Sequence, residues 1–514
     1  MDIRGKTTLV EQCRTDIDKD IAASNALRSR KNTLASIFSL PPEILVTIFT
    51  YIVEEENSKI YTGIPRRGGA PTSMIVTHVC RHLRQVALEC PSLWTFIDCL
   101  SAPWVPIMLE RSKQAALVVI YSAPRAPEYW PLVQLLSQLP RIKTLKLCTF
   151  SVDVDRILDC LSSQPAPLLQ IFKYSLVLES HDPRISIRPI SDTIFQGRAP
   201  LLRSVELAEC AFILTSHVFS GLQTLYLIQF DSCPLTLSQL LSALRRMPDL
   251  ELLRLSCDLS PRISEDTVLF DQVPLTRLRW IELNGVFRTA VSLFSHLILP
   301  VDAKFILFLT ETESPQSFSD LFSAIYKNPD ESFPIIRSLH AHLHDEVSVQ
   351  FSTSSANISN SDIQFYISFD YDDNPAIIFD MCRMVLHCKI QTLSISTLYD
   401  LSQDFWCAGS AHLPELKSII LSSVPIEGFI LAFMTVGASI AYPLLRTLDL
   451  EYVNFGCDEP EDLREIARMR AKGGVGIQKL RIMGCRNVTE IDVQLLEGVI
   501  ADVDWDHWVW PGKS

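Results

Sequence analysis

The amino-acid sequence predicts an α/β solenoid of parallel strands and helices, preceded by a short helical region at the N-terminus. Segments of the form apolar-x-x-apolar-x-apolar recur after residue 99, at intervals that cluster near about 28 residues. The chain between these segments has apolar residues at helical spacing, as in residues 235–247 and 463–471. Before residue 99, proline-bounded segments have helical spacing alone. A chain of 514 residues also exceeds one compact core, so it fits several domains or a repeat array.

Residues 1–38 form the first predicted segment, a solvent-facing helix. Many charged residues separate its apolar positions, and no proline interrupts it. The apolar positions are Leu9, Cys13, Ile17, Ile21, Leu27 and Leu34. Part of this helix would pack on the region that follows, and the rest would be free or paired in a coiled coil. The number of heptads is too small to decide between these two arrangements.

Residues 39–98 form the second predicted segment, a pair or trio of short helices. Pro41 and Pro42 suit the first turn of a helix, and apolar residues then recur at helical spacing up to Ile52. A second apolar helix follows from Val79 and ends near Trp94. Residues 54–73 between them are rich in charge and glycine, which predicts an exposed loop. Helices this short bury little surface alone, so they need a partner.

This stretch resembles the F-box, the adaptor-binding module of Skp–cullin–F-box ubiquitin ligases. The matching residues are Leu40-Pro41, Ile48-Phe49, Val79-Cys80-Arg81 and Pro91-Ser92-Leu93-Trp94. They occur in the order of the family pattern, although the insertion at about 54–73 makes the connection longer than usual. The resemblance covers residues 39–98 only. The alternative is an ordinary amphipathic helical hairpin.

The resemblance implies that an apolar face of these helices binds a Skp-family adaptor and, through it, a cullin. Buried anchors of this kind typically contribute about 1–3 kcal/mol each. The residues implied in adaptor binding are Leu40, Pro41, Pro42, Ile44, Leu45, Ile48, Phe49, Val79, Cys80 and Leu83. Leu45, Phe49 and Leu83 could instead form the core between the helices, because the sequence does not show which face points inward.

Residues 99–500 carry the repeated segments, which match the Leu-x-x-Leu-x-Leu signature of leucine-rich repeats. Such repeats bury their apolar face only against their neighbours, so the prediction is an irregular horseshoe of parallel strands and helices. The clear units centre on positions 145, 205, 225, 253, 281, 339, 393, 419, 448 and 480. Degenerate units fit at Phe172, Ile306 and Tyr366, and the spacing suggests a break near residues 311–330. A doubly wound α/β sheet is the alternative, although it rarely holds so many strands.

The strand residues that alternate with the buried leucines would face a bound protein substrate on the concave surface. The predicted substrate-facing residues are Thr224, Tyr226, Arg254, Trp280, Glu282, His340, His342, Asp449 and Arg481. His340, His342 and His344 alternate along one strand, opposite Leu339 and Ala341. Same-face side chains on one strand lie about 7 Å apart, which is too far for easy shared coordination of zinc. A polar patch that contacts a partner is therefore favoured over a metal site.

Two further segments require an assignment. Residues 501–514 are acidic and rich in tryptophan, and we expect them to cap the open end of the last repeat or to form a docking tail. Residues 428–445 lack charge and are just long enough to cross a bilayer, but they contain Gly437 and Pro443 and lie between two repeats. A buried helix on the back of a repeat is the favoured assignment.

Composition excludes several classes of function. The net charge of −13 and the lack of a basic run argue against nucleic acid as a partner. The 14 cysteines contain no Cys-x-x-Cys, and no secretory segment opens the chain, so we expect a cytoplasmic or nuclear protein without a metal. Gly5-Lys6-Thr7-Thr8 lacks the preceding strand and glycine of a phosphate loop, and no catalytic motif or cofactor site is found.

The resemblance as a whole is to the F-box-like proteins of mushroom-forming fungi that carry a leucine-rich-repeat-like array. It implies a substrate-recognition subunit of a ubiquitin ligase, which holds an unknown protein substrate while other subunits do the chemistry. Two alternatives remain. One is a leucine-rich-repeat interaction scaffold with no ligase role, and the other is an enzyme on an α/β fold.

Overall fold

The structure is a computed structural model, and contacts divide it into two compact units that are described separately. The first unit runs to Val205 and includes residues 210–218, and the second comprises residues 206–209 and everything from Phe219 onward. The residues described are 3–33, 35–61, 70–98, 103–122, 130–150, 154–177, 189–210, 216–228, 235–256, 272–311, 315–327, 335–344, 346–354, 363–370, 375, 377–384, 388–434 and 440–507.

The first unit begins with helices and continues into a parallel sheet. Its helices are α1 (Ile3–Thr33), α2 (Pro42–Tyr61), α3 (Thr72–Thr77), α4 (Arg81–Glu89), α5 (Val105–Arg111), α6 (Trp130–Leu136) and α7 (Val154–Ser162). Its strands are β1 (Phe96–Asp98), β2 (Leu117–Ser122), β3 (Ile142–Phe150) and β4 (Ile171–Val177), and β5 (Ser204–Ala208) spans the boundary between the units. Short 3-10 helices are Ser36–Ser39, Pro91–Trp94, Leu139–Arg141, Ile194–Gly197 and His217–Phe219.

Strands β1 to β4 pair in sequence order, each parallel to the next. Their register aligns Ile97, Val119, Leu145 and Phe172 across the four strands, and all four side chains are fully buried. The units predicted at Leu145 and at the degenerate position Phe172 are therefore confirmed as strands with these residues inside.

The predicted loop at residues 54–73 is partly wrong, because α2 continues to Tyr61 and α3 begins at Thr72. Val53 and Asn57 continue the buried face of α2 at four-residue spacing from Phe49. Lys59 Nζ also donates to Glu56 Oε1 at 2.7 Å one turn away. The charged residues from Glu54 to Lys59 thus form the solvent side of a continued helix instead of a loop. Residues 62–69 lie outside the described part of the chain.

The second unit alternates strands and helices. Its strands are β6 (Thr224–Ile228), β7 (Leu252–Ser256), β8 (Val273–Pro274), β9 (Trp280–Val286), β10 (Leu297–Ile298), β11 (Lys304–Thr310), β12 (Ile336–Leu343), β13 (Glu346–Ser352), β14 (Ile363–Asp370), β15 (Cys388–Thr397), β16 (Ser418–Ser422), β17 (Thr447–Glu451), β18 (Lys479–Met483) and β19 (Asp502–Trp505). Its helices are α8 (Leu237–Leu244), α9 (Phe287–His296), α10 (Pro315–Ile325), α11 (Ile377–Met384), α12 (Gln403–His412), α13 (Glu427–Met434), α14 (Glu459–Lys472) and α15 (Glu490–Glu497).

The strand order of the second unit departs from a serial solenoid at its centre. The paired strands run β6, β7, β9, β11, β14, β13, β12, β15, β16, β17, β18 and β19. Only β13 among them is antiparallel to its neighbours. Strands β8 and β10 form a separate two-stranded sheet. The irregular spacing correctly indicated a break, but not this reversed order of β12, β13 and β14.

A short connection explains the reversal. Strand β12 ends at Leu343 and β13 begins at Glu346, which leaves no room for the crossover that parallel neighbours require. The chain must therefore turn back, and β14 returns to the original direction beside β11. The next strand, β15, then pairs with β12 rather than with β14.

Aromatic contacts show how helices cover one face of this sheet. Phe294 of α9 lies 5.9 Å from Phe305 of β11, measured between ring centroids, and Phe318 of α10 lies 4.9 Å from Phe369 of β14. Phe305 also stacks on Phe365 at 4.6 Å. The degenerate units at Ile306 and Tyr366 were therefore placed one residue out of phase. Phe305 and Phe365 are buried, whereas Ile306 and Tyr366 lie on the opposite face.

The C-terminal segment and the uncharged stretch can now be placed. Part of the predicted cap at 501–514 is strand β19, which pairs in parallel with β18, and residues 508–514 lie outside the described range. The uncharged stretch contributes the eight-residue helix α13, in which Phe429 and Ile430 are buried. No helix in the described part of the chain is long and apolar enough to cross a membrane.

The coarse prediction of the fold is thus confirmed: an N-terminal helical region precedes mostly parallel sheet with helices. Regular alternation of buried and partly exposed residues in strands such as β6, β7, β16 and β17 is the reason that sequence could predict it.

Candidate functional site

Helix α2 has apolar residues on two neighbouring faces. Leu45, Phe49 and Val53 repeat every four residues and are buried. The other face is open to solvent, and we call it the α2 apolar face. It consists of Ile44, Ile48, Tyr51 and Ile52. An apolar face on a short helix without cover in the described chain is typical of a protein-binding surface.

The predicted adaptor-binding residues divide into two groups. Leu45, Phe49 and Leu83 are buried in the core of the helical region, which was the alternative for these three residues, and contact with an adaptor stays a prediction for them. The remaining seven are exposed or half-exposed, and they are Leu40, Pro41, Pro42, Ile44, Ile48, Val79 and Cys80. The side chain of Ile44 is 47% exposed and that of Val79 is 64% exposed, so both can contact a partner without unfolding the region.

Cys80 begins helix α4. The N–H of Leu83 donates to Cys80 Sγ at 3.4 Å, so the thiol serves as the helix N-cap. The cap fixes the turn in which the exposed Val79 lies. The position of Cys80 directly before Arg81, where the helical spacing of α4 begins, is a sequence signal for this N-cap role.

Trp94 anchors the short 3-10 helix that follows α4. The ring is fully buried, and Nε1 donates to the Ala87 carbonyl oxygen at 2.9 Å. The Arg111 guanidinium of α5 lies 4.4 Å from the ring centroid, and Arg111 Nη1 lies 3.3 Å from Met74 Sδ of α3. Trp94 and Arg111 thus connect the N-terminal helices to the start of the repeat array.

The second surface is the face of the sheet in the second unit that its helices leave uncovered, here called the open face. The strand register aligns one residue from each strand across this face, and we call this alignment the central row. Its members are Tyr226, Arg254, Glu282, Ile306, Tyr366, Gln350, His340, Ser394, Ile420, Asp449, Arg481 and Asp504.

The structure brings six of the nine predicted substrate-facing residues into this row. Thr224 and Trp280 lie on the same face two residues earlier in their strands, at one register position across β6, β7 and β9. His342 lies two residues later than His340 and opposite Ser396. All nine are exposed or half-exposed, whereas intervening residues such as Leu225 and Leu253 are fully buried. Their position on one face is confirmed, and a role in binding remains a prediction.

Charges at the β6–β9 end of the row pair with one another. Arg254 Nη2 lies 2.5 Å from Glu282 Oε2, and the Arg254 guanidinium lies 5.0 Å from the ring centroid of Tyr226. Glu282 is the more buried partner of the two. These three side chains on adjacent strands form a preorganised polar cluster.

Charges at the β17–β19 end form a looser network. Arg481 lies between Glu451, at 3.6 Å, and Asp504, at 3.9 Å. Burial is the main reason that the pKa of Asp449 is raised, and the positive charge of Arg481 acts in the opposite direction. Carboxylates outnumber cations here, so this end of the open face suits a partner with positive charge.

The three histidines lie at the centre of the open face. Leu339, Ala341 and Leu343 are buried on the other side of β12, as their alternation predicts. Burial, and then the charge of neighbouring His342, lowers the pKa of His340 to about 4. Burial also lowers the pKa of His342. No group of metal-binding side chains within the described ranges could hold a metal ion.

Sequence reasoning missed several members of the central row. Ile306 and Tyr366 were assigned to the buried side, and β13, which supplies Gln350, was not predicted. Phe308 and Tyr366 lie 5.4 Å apart between ring centroids, so the centre of the open face is partly aromatic. The alternation of Phe365, Ile367 and Phe369 with polar residues in β14 is a signal that could have set the correct phase of that strand.

No protein-family model matches the chain, and a search of curated proteins finds no match. The functional assignment therefore depends on the two surfaces described above.

Proposed function

We propose that this chain is the substrate-recognition subunit of a Skp–cullin–F-box ubiquitin ligase. The α2 apolar face and Val79 would bind a Skp-family adaptor, which connects the chain to a cullin. The open face would bind a protein substrate. The chain itself would act in the cytoplasm or nucleus and would need neither a catalytic residue nor a cofactor, because other subunits transfer ubiquitin.

The observation that carries the proposal is the pair of apolar faces on α2. The inner face, with Leu45 and Phe49, is satisfied by the core of the helical region. The outer face exposes Ile44 and Ile52, and two of its residues, Ile44 and Ile48, occupy positions of the F-box pattern. Each such side chain buried against an adaptor would contribute about 1–3 kcal/mol to binding.

The decisive experiment is co-purification of the full chain with a Skp-family adaptor, followed by affinity measurement. Ile44→Asp with Val79→Asp should weaken binding at least 100-fold, because each places a charge in the buried contact. Thermal unfolding should be unchanged, since both side chains are exposed. Ile491→Asp on α15, which is equally exposed, is the matched control and should bind normally. Absence of adaptor binding by the unmodified chain would refute the proposal.

One observation favours the second candidate, a protein-interaction scaffold without a ligase role. Trp94 and Arg111 connect the N-terminal helices to the first strands, as expected of a helical cap on a repeat array. In that case no adaptor binds, and deletion of residues 38–97 lowers the unfolding temperature of the remaining chain. A deletion that leaves the unfolding temperature unchanged would count against the cap.

A further inference from the structure

Helix α1 extends through 31 residues, and most of its length has no cover from the rest of the described chain. Every side chain from Glu11 to Arg28 is exposed, and the apolar residues Ile17, Ile21 and Leu27 are 57%, 53% and 67% exposed. Isolated helices are marginal in water even when rich in alanine, and this one contains many residues of weaker helix propensity. A binding partner that covers the apolar residues would therefore stabilise α1.

The large apolar residues of α1 lie along one side of the helix. At 100° per residue, Cys13, Ile17, Ile21 and Leu27 fall within a single stripe. The stripe is discontinuous, and the small residue Ser24 lies near its middle. A discontinuous stripe with a small central residue suits close packing against one other helix rather than insertion into a deep core.

Charge is distributed unevenly along the same helix. Asp16 and Asp20 lie in its first half and Arg28 and Lys31 in its second half; at 100° per residue, Asp20, Arg28 and Lys31 fall within the angular range of the stripe and Asp16 falls at its edge. An ion pair within this stretch joins Asp16 and Lys19 at 3.5 Å, and both side chains are about 70% exposed, so it contributes little. Residues 16–20 carry a net charge of −2 and residues 28–31 a net charge of +3, so these two segments of α1 are complementary in charge.

An antiparallel pair of identical helices uses this complementarity. With Ser24 at the two-fold axis, Asp20 lies opposite Arg28, and Asp16 lies within one residue of the position opposite Lys31. A parallel pair in register would instead place aspartate beside aspartate and cation beside cation. Each favourable pairing occurs twice, because the two-fold axis repeats it.

The same axis also aligns the apolar stripe of one helix with that of the other. Ile21 of each helix lies opposite Leu27 of its partner, so large side chains flank the axis on both sides. The two Ser24 side chains meet at the axis itself, where their small size allows close approach and their hydroxyls can share a hydrogen bond. The polar residue in the stripe is therefore satisfied in this arrangement.

We propose that α1 is a homodimerisation element that pairs antiparallel with α1 of a second copy of this chain. The interface consists of the apolar stripe and two symmetry-related sets of opposite charges. It is independent of the function proposed for the α2 apolar face and the open face.

The test is the molar mass and dissociation constant of the full chain in solution, measured by light scattering and analytical ultracentrifugation at low salt. The unmodified chain should dimerise. Asp16→Lys with Asp20→Lys should raise the dissociation constant at least tenfold, because four attractive pairs become repulsive. Arg28→Glu with Lys31→Glu should do the same. A chain with all four changes should dimerise again, and the two double variants should form a heterodimer when mixed.

Glu490→Lys with Glu497→Lys on α15 is the matched control, because it changes net charge equally at exposed positions outside α1. It should leave dimerisation intact. The thermal unfolding of each monomeric variant should match that of the unmodified chain at concentrations where it is also monomeric. A monomeric unmodified chain at high concentration would overturn the proposal. A dimer that is insensitive to the aspartate reversal would also overturn it, since a parallel pair retains like charges in either case.

Discussion

The N-terminal helices and the open face expose surfaces of opposite chemical character. The α2 apolar face presents aliphatic side chains such as Ile44 and Ile52 to solvent. The open face presents charges that already have partners, such as Arg254 with Glu282 and Arg481 with Asp504. Burial of aliphatic surface supplies affinity that depends little on salt. When a partner binds, paired charges replace their contacts with each other by contacts with the partner. They therefore contribute more to the choice between partners than to affinity.

This difference separates two ways in which the protein could lose binding. A partner of the α2 apolar face should dissociate when contact area is removed, and a partner of the open face should dissociate when salt or charge changes. Each region also has its own structural support, so each can be disrupted without the other.

The largest effect is expected from Trp94→Ala. The change removes a fully buried ring, its hydrogen bond to Ala87 and its contact with Arg111, at a cost of about 3–5 kcal/mol. Hydrogen exchange should accelerate in α3 and α4 while strands β15–β18 remain protected. Tyr51→Ala, at an exposed position, is the control and should change stability by less than about 0.5 kcal/mol. Equal loss of protection in both regions would contradict this separation.

Gly428→Ala should disrupt the second unit instead. A Cβ atom at Gly428 would lie 1.9 Å from the Leu401 carbonyl oxygen, so the start of α13 must move. We expect a cost of about 1–3 kcal/mol, as for other overpacked sites, with loss of protection in β15 and β16. At Gly498 the nearest atom to a new Cβ is 3.4 Å away, and Gly498→Ala should be neutral or slightly stabilising. Urea unfolding of both variants measures the difference between their free energies of unfolding.

Acid should weaken the open face at its centre. The pKa of His340 is about 4 in the folded chain, against 6.5 for an unperturbed histidine, so the unfolded chain binds more protons between these values. Stability from this group is complete above pH 6.5 and falls as pH decreases toward 4. Because His340 is partly exposed, we expect only about 1 kcal/mol between pH 7 and 5. Urea unfolding of His340→Gln should show a smaller loss, and an identical loss would contradict the assignment.

The smallest effect concerns the pair Arg254 and Glu282. Their interaction and the contact with Tyr226 should contribute about 0.5–1 kcal/mol, because Arg254 remains largely solvated. A double-mutant cycle with Arg254→Met and Glu282→Gln measures this coupling. The coupling should shrink in 1 M salt, whereas binding through the α2 apolar face should not. If 1 M salt leaves the coupling energy unchanged, Arg254 and Glu282 are shielded from solvent, which contradicts their partial exposure.

Sequence predicted the strands best where side-chain alternation was regular. Leu225, Leu253 and Ile281 begin a series that repeats with little variation, and the structure buries each of them. Alternation has the same period in parallel and antiparallel strands, however, so it could not reveal that β13 runs in reverse. Nor could it set the phase of β11, since every residue from Phe305 to Leu309 is apolar.

The site on α2 was predicted less completely for a related reason. Ile44 and Leu45 are adjacent and equally apolar, and helical spacing assigns them to different faces without showing which one is inside. Packing against α3, α4 and Trp94 decides that Leu45 is the inner residue. Tyr51 extends the outer face, and it was missed because the family pattern does not include that position.

The reversed order of β12, β13 and β14 has a consequence for how this protein is made. Strand β11 ends at Thr310. Strand β14, which pairs with the free side of β11, lies later in the chain and ends only at Asp370. A nascent chain emerging from the ribosome therefore carries an unpaired sheet edge at β11 until about sixty further residues have been synthesised. Exposed edges invite association with other chains, so the middle of this gene is where translation rate and chaperone access should matter most.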